Sequence, residues 1–236
     1  VRPRTAILVA AALLFVVAHY VPFGDVALYP LTLFTTWVHE MGHGLTALVL
    51  GGRFDSLDIY GNAGGLAHAS ASPGWPDALV AAGGLLAPPL VGAAILATVH
   101  GPRRSRILLA VLALALVASM VLFVRTPTGI IAMTVVALAL GAAAWKLDGD
   151  YRVIVSQVLG VVLALDTLTR MVGYAFMKEV ELEGRTTPSD VGLIAMNLGG
   201  SYIWYGLAIT AIALSLLFLG GWWAWRRPTS GASRSR

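Results

Sequence analysis

The chain contains no cysteine. That absence excludes disulfides, thiolate metal sites and cysteine nucleophiles, so any metal must be held by His, Asp or Glu. Charge is scarce too: 12% of the 236 residues are Asp, Glu, Lys or Arg, against about 25% in an ordinary soluble domain. The deficit is filled by apolar residues, which make up 58% of the chain and give a mean hydropathy of +0.80. Lipid rather than water is therefore the expected solvent, and an integral, multi-pass membrane protein, with the cell membrane as its place, is the expected class. The formal charge of +4 does not point to nucleic acid. Arg103, Arg104, Arg106, Arg226, Arg227, Arg234 and Arg236 flank apolar stretches, where arginine meets lipid headgroups, so the lipid bilayer is the partner and no nucleic acid is expected.

Apolar runs long enough to cross a bilayer fall at roughly 5–22, 28–50, 77–99, 107–124, 128–146, 152–176 and 202–225. Backbone facing hydrocarbon must satisfy its own hydrogen bonds, so an all-α polytopic bundle of about seven spans is expected. The first run follows Arg2 and Arg4 but is longer than a signal-peptide core of about 7–15 residues and lacks a good cleavage site, so it is expected to be a retained span. Residues 1–227 then form one membrane domain, and the Ser, Gly and Arg tail 228–236 is expected to be disordered. Two connections stand out. The segment 51–75 alternates through Phe54-Asp55-Ser56-Leu57-Asp58-Ile59-Tyr60 before Gly61-Asn62 and Gly64-Gly65, which fits a short β-hairpin or a re-entrant segment. The acidic stretch Lys178 to Asp190 is expected to be an aqueous loop ending in a helix cap.

Chemistry concentrates at residues 39–43, which read His-Glu-Met-Gly-His. On a helix, positions i and i+4 share a face one turn apart. Both imidazoles can then bind one zinc ion, with Glu40 placed as general base toward a water at the metal. Groups of this polarity cost at least about 2.5 kcal/mol each at the bilayer centre when charged, so a functional site is favoured over packing histidines. Gly42 and Gly44 would let another helix or a strand approach closely. A catalytic zinc takes three protein ligands and leaves one position for water. Three residues compete for the third place. Asp166 lies deep in an apolar run, where a divalent cation would offset its burial and a salt bridge to Arg170, one turn along, is the structural alternative. His68 sits in the glycine-rich connection. Asp190 follows Pro188-Ser189 and is expected to be a helix N-cap.

The run Trp37-Val38-His39-Glu40-Met41-Gly42-His43-Gly44, the Gly51-Gly52 hairpin-like segment after it, Ala81-Ala82-Gly83-Gly84-Leu85-Leu86-Ala87-Pro88 and Leu165-Asp166 together resemble the site-2 protease family of intramembrane zinc metallopeptidases, and within it a short peptidase B-like branch. The resemblance spans about Thr35 to Ala208, and the motif helix is its most specific part. It implies that His39, His43 and Asp166 are the zinc ligands and that Glu40 is the general base. It also implies that a membrane protein or peptide substrate is unwound beside the site and hydrolysed. Thr167 follows Asp166 where the main branch has glycine, and Pro88-Pro89 stand where an asparagine is usual. Two other functions fit the same residues less well. They are an inactive protease-like scaffold or chaperone, and a zinc transporter or sensor, which would string acidic and His residues across the bilayer.

Overall fold

The computed structural model describes residues 3–174, 177–182 and 184–226. In chain order these form α1 (Pro3–Ala18), α2 (Gly24–Val49), β1 (Arg53–Ile59), β2 (Gly65–Ser70), α3 (Trp75–Thr98), α4 (Pro102–Leu122), α5 (Pro127–Lys146), α6 (Gly149–Tyr174), β3 (Glu179–Leu182), β4 (Arg185–Pro188), α7 (Asp190–Leu198) and α8 (Tyr202–Arg226). The apolar runs become α1 to α6 and α8. Five helices, α3 to α6 and α8, are long and apolar enough to cross a membrane, which is the make-up of a multi-pass protein. The other two expected spans differ from these. The apolar part of α1 is the shorter stretch Ala6–Ala18, and α2 is long but carries Thr35, Thr36, His39 and Glu40 buried along one side. Residues 175–176 of the sixth run and the tail 228–236 lie outside the described residues.

Proline opens α3, α4 and α5, at Pro76 in the first turn of α3, at Pro102 and at Pro127, where its missing N–H has no partner to lose. Outward faces are apolar. Leu114 and Val121 on α4, Ile131 and Leu138 on α5, and Leu214 and Phe218 on α8 are all exposed, as side chains facing lipid would be. Arg106 lies over the Trp145 ring and Arg226 over the Trp222 ring, so cation and indole anchor together at the helix ends.

Helix α3 packs against α2, α6, α7 and α8. Its interior Pro89 cannot donate to the carbonyl one turn back, that of Leu85. The hydroxyl of Thr167 on α6 donates to that carbonyl at 2.8 Å. Thr167 is thus a packing residue that satisfies a carbonyl exposed by a proline, which accounts for threonine after Asp166.

The segment after α2 is a hairpin. β1 and β2 pair antiparallel, with Leu57 opposite Ala67 and Ile59 opposite Gly65. A strict two-residue alternation would put Phe54 on the face opposite Leu57 and Ile59, yet all three are buried. A bulge between Phe54 and Ser56 shifts the phase and reconciles them. The hairpin is sunk into the bundle. Its turn is held by Thr36 donating to Ala63 O at 2.8 Å and Tyr29 donating to Gly61 O at 3.0 Å. Its other edge is held by Leu57 N–H donating to Phe123 O at 2.9 Å and by the Thr126 hydroxyl bonding both polar groups of Ile59. The largest buried cluster brings Phe34, Trp37 and Val38 of α2 against Leu57 and Ile59 of the hairpin and Leu116 and Met133 of α4 and α5. The acidic connection differs from the plain loop expected. It folds as a second hairpin, with Glu179 opposite Pro188 and Val180 opposite Thr187, and leads into α7, a nine-residue helix too short to register as an apolar run.

Candidate metal centre

His39 and His43 project from one face of α2, their ring centroids 4.8 Å apart. His43 Nδ1 lies 2.9 Å from the Val80 carbonyl. A carbonyl only accepts, so Nδ1 carries the hydrogen and Nε2 of the neutral ring is left bare. That bare Nε2 faces His39 Nε2 at 3.2 Å. The third atom group comes from α7: Asp190 Oδ2 lies 3.1 Å from His39 Nε2, and Asp190 Oδ1 lies 3.4 Å from His43 Nε2. Among the described residues, His39, His43 and Asp190 are the group of ligand-type side chains able to hold a metal ion.

The donor set fits a cation. Two imidazole nitrogens and a carboxylate converge on one point, and a single positive ion satisfies all three. Ligand atoms on a tetrahedral zinc with bonds of about 2.0–2.1 Å stand about 3.3–3.4 Å apart, close to the separations found here. The packing leaves little slack around His43 and the turn of α2 that carries it. A Cβ on Gly84 of α3 would overlap the His43 ring, and one on Gly42 would meet the Gly83 carbonyl at 2.5 Å. Gly44 lies against the Phe54 ring of β1. Gly42 and Gly44 thus admit a helix and a strand, as expected from their small size.

Asp190 arrives by a one-residue shift from the role expected of it. Ser189 is the N-cap of α7, its side chain accepting from Gly192 N–H at 3.1 Å. With the cap filled, Asp190 occupies the first helical position, where the helix dipole favours a carboxylate, and it turns toward the imidazoles. The signal was present in Thr-Pro-Ser-Asp, since Ser189 already supplies the cap and leaves Asp190 for another task. Asp166 is buried on α6 at 4% exposure and is not a member of the ligand group. The side chain of Arg170 is outside the described residues. His68 pairs instead with Asp58 at 2.9 Å across the first hairpin.

Glu40 is buried, and its Oε2 accepts the Ala67 N–H of β2 at 2.8 Å. The approach is close: a Cβ on Gly65 would lie 2.7 Å from Glu40 Cγ and 2.9 Å from Oε1, so glycine is required there. Glu40, the two histidines and Asp190 line one cavity of about 390 Å³, walled on one side by Gly65, Ala67 and Ala69 of β2 and on the other by Val180 and Thr187 of the second hairpin. Leu57 directs its backbone toward the α4–α5 connection, so its partner Ala67 directs its own backbone away from β1, toward the cavity. β2 therefore presents a strand edge to the ligand group.

No curated protein and no solved structure matches the chain. The Peptidase M50B-like family matches over residues 6–220, a range that takes in the paired histidines, Glu40, both hairpins and Asp190. The chain belongs to the Peptidase M50B-like family, related to the site-2 proteases.

Proposed function

We infer that this protein is an intramembrane zinc metalloendopeptidase, acting as one membrane unit over residues 1–227, that hydrolyses peptide bonds of membrane-embedded protein or peptide substrates. The observation that carries the reading is the convergence of His39, His43 and Asp190 at zinc-ligand spacings, in a cavity that also holds a buried glutamate and a strand edge. His39, His43 and Asp190 hold the metal, Asp190 taking the place that the resemblance gave to Asp166. Zinc bound there would supply a Lewis acid for the scissile carbonyl and would lower the pKa of a water to about 7.

The chain's own residues do the rest. Glu40 takes a proton from the attacking water and returns it to the amine nitrogen as the C–N bond breaks. Ala67 N–H holds one oxygen of that carboxylate, leaving the other for the proton. The edge of β2 at Gly65 and Ala69, with the Ala67 carbonyl between them, pairs with an extended substrate segment. A helical substrate hides its carbonyls in hydrogen bonds, and strand pairing holds the unwound form. Val180 and Thr187 line the opposite wall, beside which the substrate segment would lie.

The deciding experiment uses the full chain in detergent or lipid nanodiscs with a labelled transmembrane peptide. Glu40→Gln should lower cleavage by about 10²–10⁴-fold while stoichiometric zinc is retained. A wild-type protein that folds yet holds no zinc would overturn the reading.

A further inference from the structure

Asp190 reaches the imidazoles from a nine-residue helix, and that helix must be held in place for the carboxylate to stay within bonding range. At its start, Ser189 Oγ donates to Met177 O at 2.7 Å and caps Gly192 N–H. At its far end sits Asn197, whose amide is fully engaged. Oδ1 accepts Gly74 N–H at 2.9 Å, and Nδ2 donates to Asp77 Oδ2 and to Leu193 O, each at 3.0 Å. Gly74 is the N-cap of α3 and Asp77 lies in its first turn. One turn later on α3 is Val80, whose carbonyl takes the His43 Nδ1 hydrogen. The first two turns of α3 therefore grip both sides of the metal centre, His43 through Val80 and the Asp190 helix through Asp77, Gly74 and Asn197.

We propose that Asn197 is a positioning residue for the metal centre, clamping α7 onto the start of α3 so that Asp190 stays at ligand distance from His39 and His43. The proposal rests on the zinc reading of that site. An amide is the side chain this place requires, because it must accept from a backbone N–H and donate to a carboxylate at once. Alanine would leave the Gly74 amide and the Asp77 carboxylate unmet, and aspartate would set two carboxylates against each other. Residues that orient metal ligands typically change metal affinity by about 10–100-fold when removed.

The test is zinc affinity of the full chain in nanodiscs, measured by competition with a chromophoric chelator, beside the melting temperature of the metal-free protein. Asn197→Ala should bind zinc about tenfold more weakly, by more than any loss of metal-free stability explains. Asn197→Asp should weaken binding at least as much. Adding Asp77→Asn restores a donor facing an acceptor and should return affinity to within about threefold of wild type, the signature of direct coupling. Wild-type affinity in Asn197→Ala, or equal weakness in Asn197→Asp and the double variant, overturns the proposal. Should Asn197→Ala not fold, the exchange pair decides alone. Wild type that binds zinc, with His39→Ala that does not, keeps the zinc reading standing even if the Asn197 proposal fails. A folded wild type without zinc ends both.

Discussion

The two halves of the candidate ligand set are built differently. His39 and His43 belong to one long helix and sit in close-packed surroundings, with side-chain exposures of 10% and 12% and Gly84 pressed against the second ring. Asp190 is more open at 21% and stands on a short helix reached through a four-residue-strand hairpin. The imidazole pair is a local property of helical geometry. The carboxylate is placed by capping and by contacts between distant segments. Damage to the first half should therefore act through sterics inside the bundle, and damage to the second through loosened anchoring.

The sharpest way to break this comparison is at the group that touches neither half as a ligand. Glu40→Gln should lower cleavage by about 10²–10⁴-fold with zinc content unchanged, read by peptide cleavage and elemental analysis on the same sample. Loss of zinc would make Glu40 a ligand. Loss of cleavage alone would also separate a protease from a scaffold or a zinc carrier, neither of which needs a base.

Next in size is the contrast between the two buried aspartates. Asp190→Ala should remove stoichiometric zinc, whereas Asp166→Ala should keep it. The opposite pattern would return the third ligand position to α6. Smaller again is a steric test of the α2 half: Gly84→Val should push the His43 ring off its position and weaken zinc about 10–100-fold, measured by chelator competition. The mildest change belongs to the α7 half. Ser189→Ala removes the cap and should cost about 1 kcal/mol of stability, visible in thermal denaturation of the metal-free protein, with a lesser effect on zinc than Gly84→Val.

Much of the architecture was legible along the chain because its signals are local. Apolar runs marked the long helices, and the glycines after α2 marked a hairpin. The bulge at Asp55 was hidden, because a one-residue insertion leaves the composition of a strand unchanged while reversing which face is buried. The second hairpin was hidden by its acidity and by strands of only four residues. Thr167 could be seen as a departure from the family pattern, but its reason lies on another helix, in the carbonyl that Pro89 leaves without a donor.

The same division runs through the site. Residue order by itself determined that His39 and His43 stand together, because the 3.6-residue turn of a helix puts positions four apart on one face wherever that helix goes. It also determined that any metal would be held without cysteine sulfur. Which carboxylate lies within ligand distance of the two histidines was decided only by the tertiary structure. Asp166 and Asp190 are both plausible by composition, and nothing in their neighbouring residues measures the distance to α2. That distance is set by Ser189 filling the cap of α7, by the grip of Asn197 on the start of α3, and by glycines that let α3 press against α2, all contacts between segments far apart along the chain.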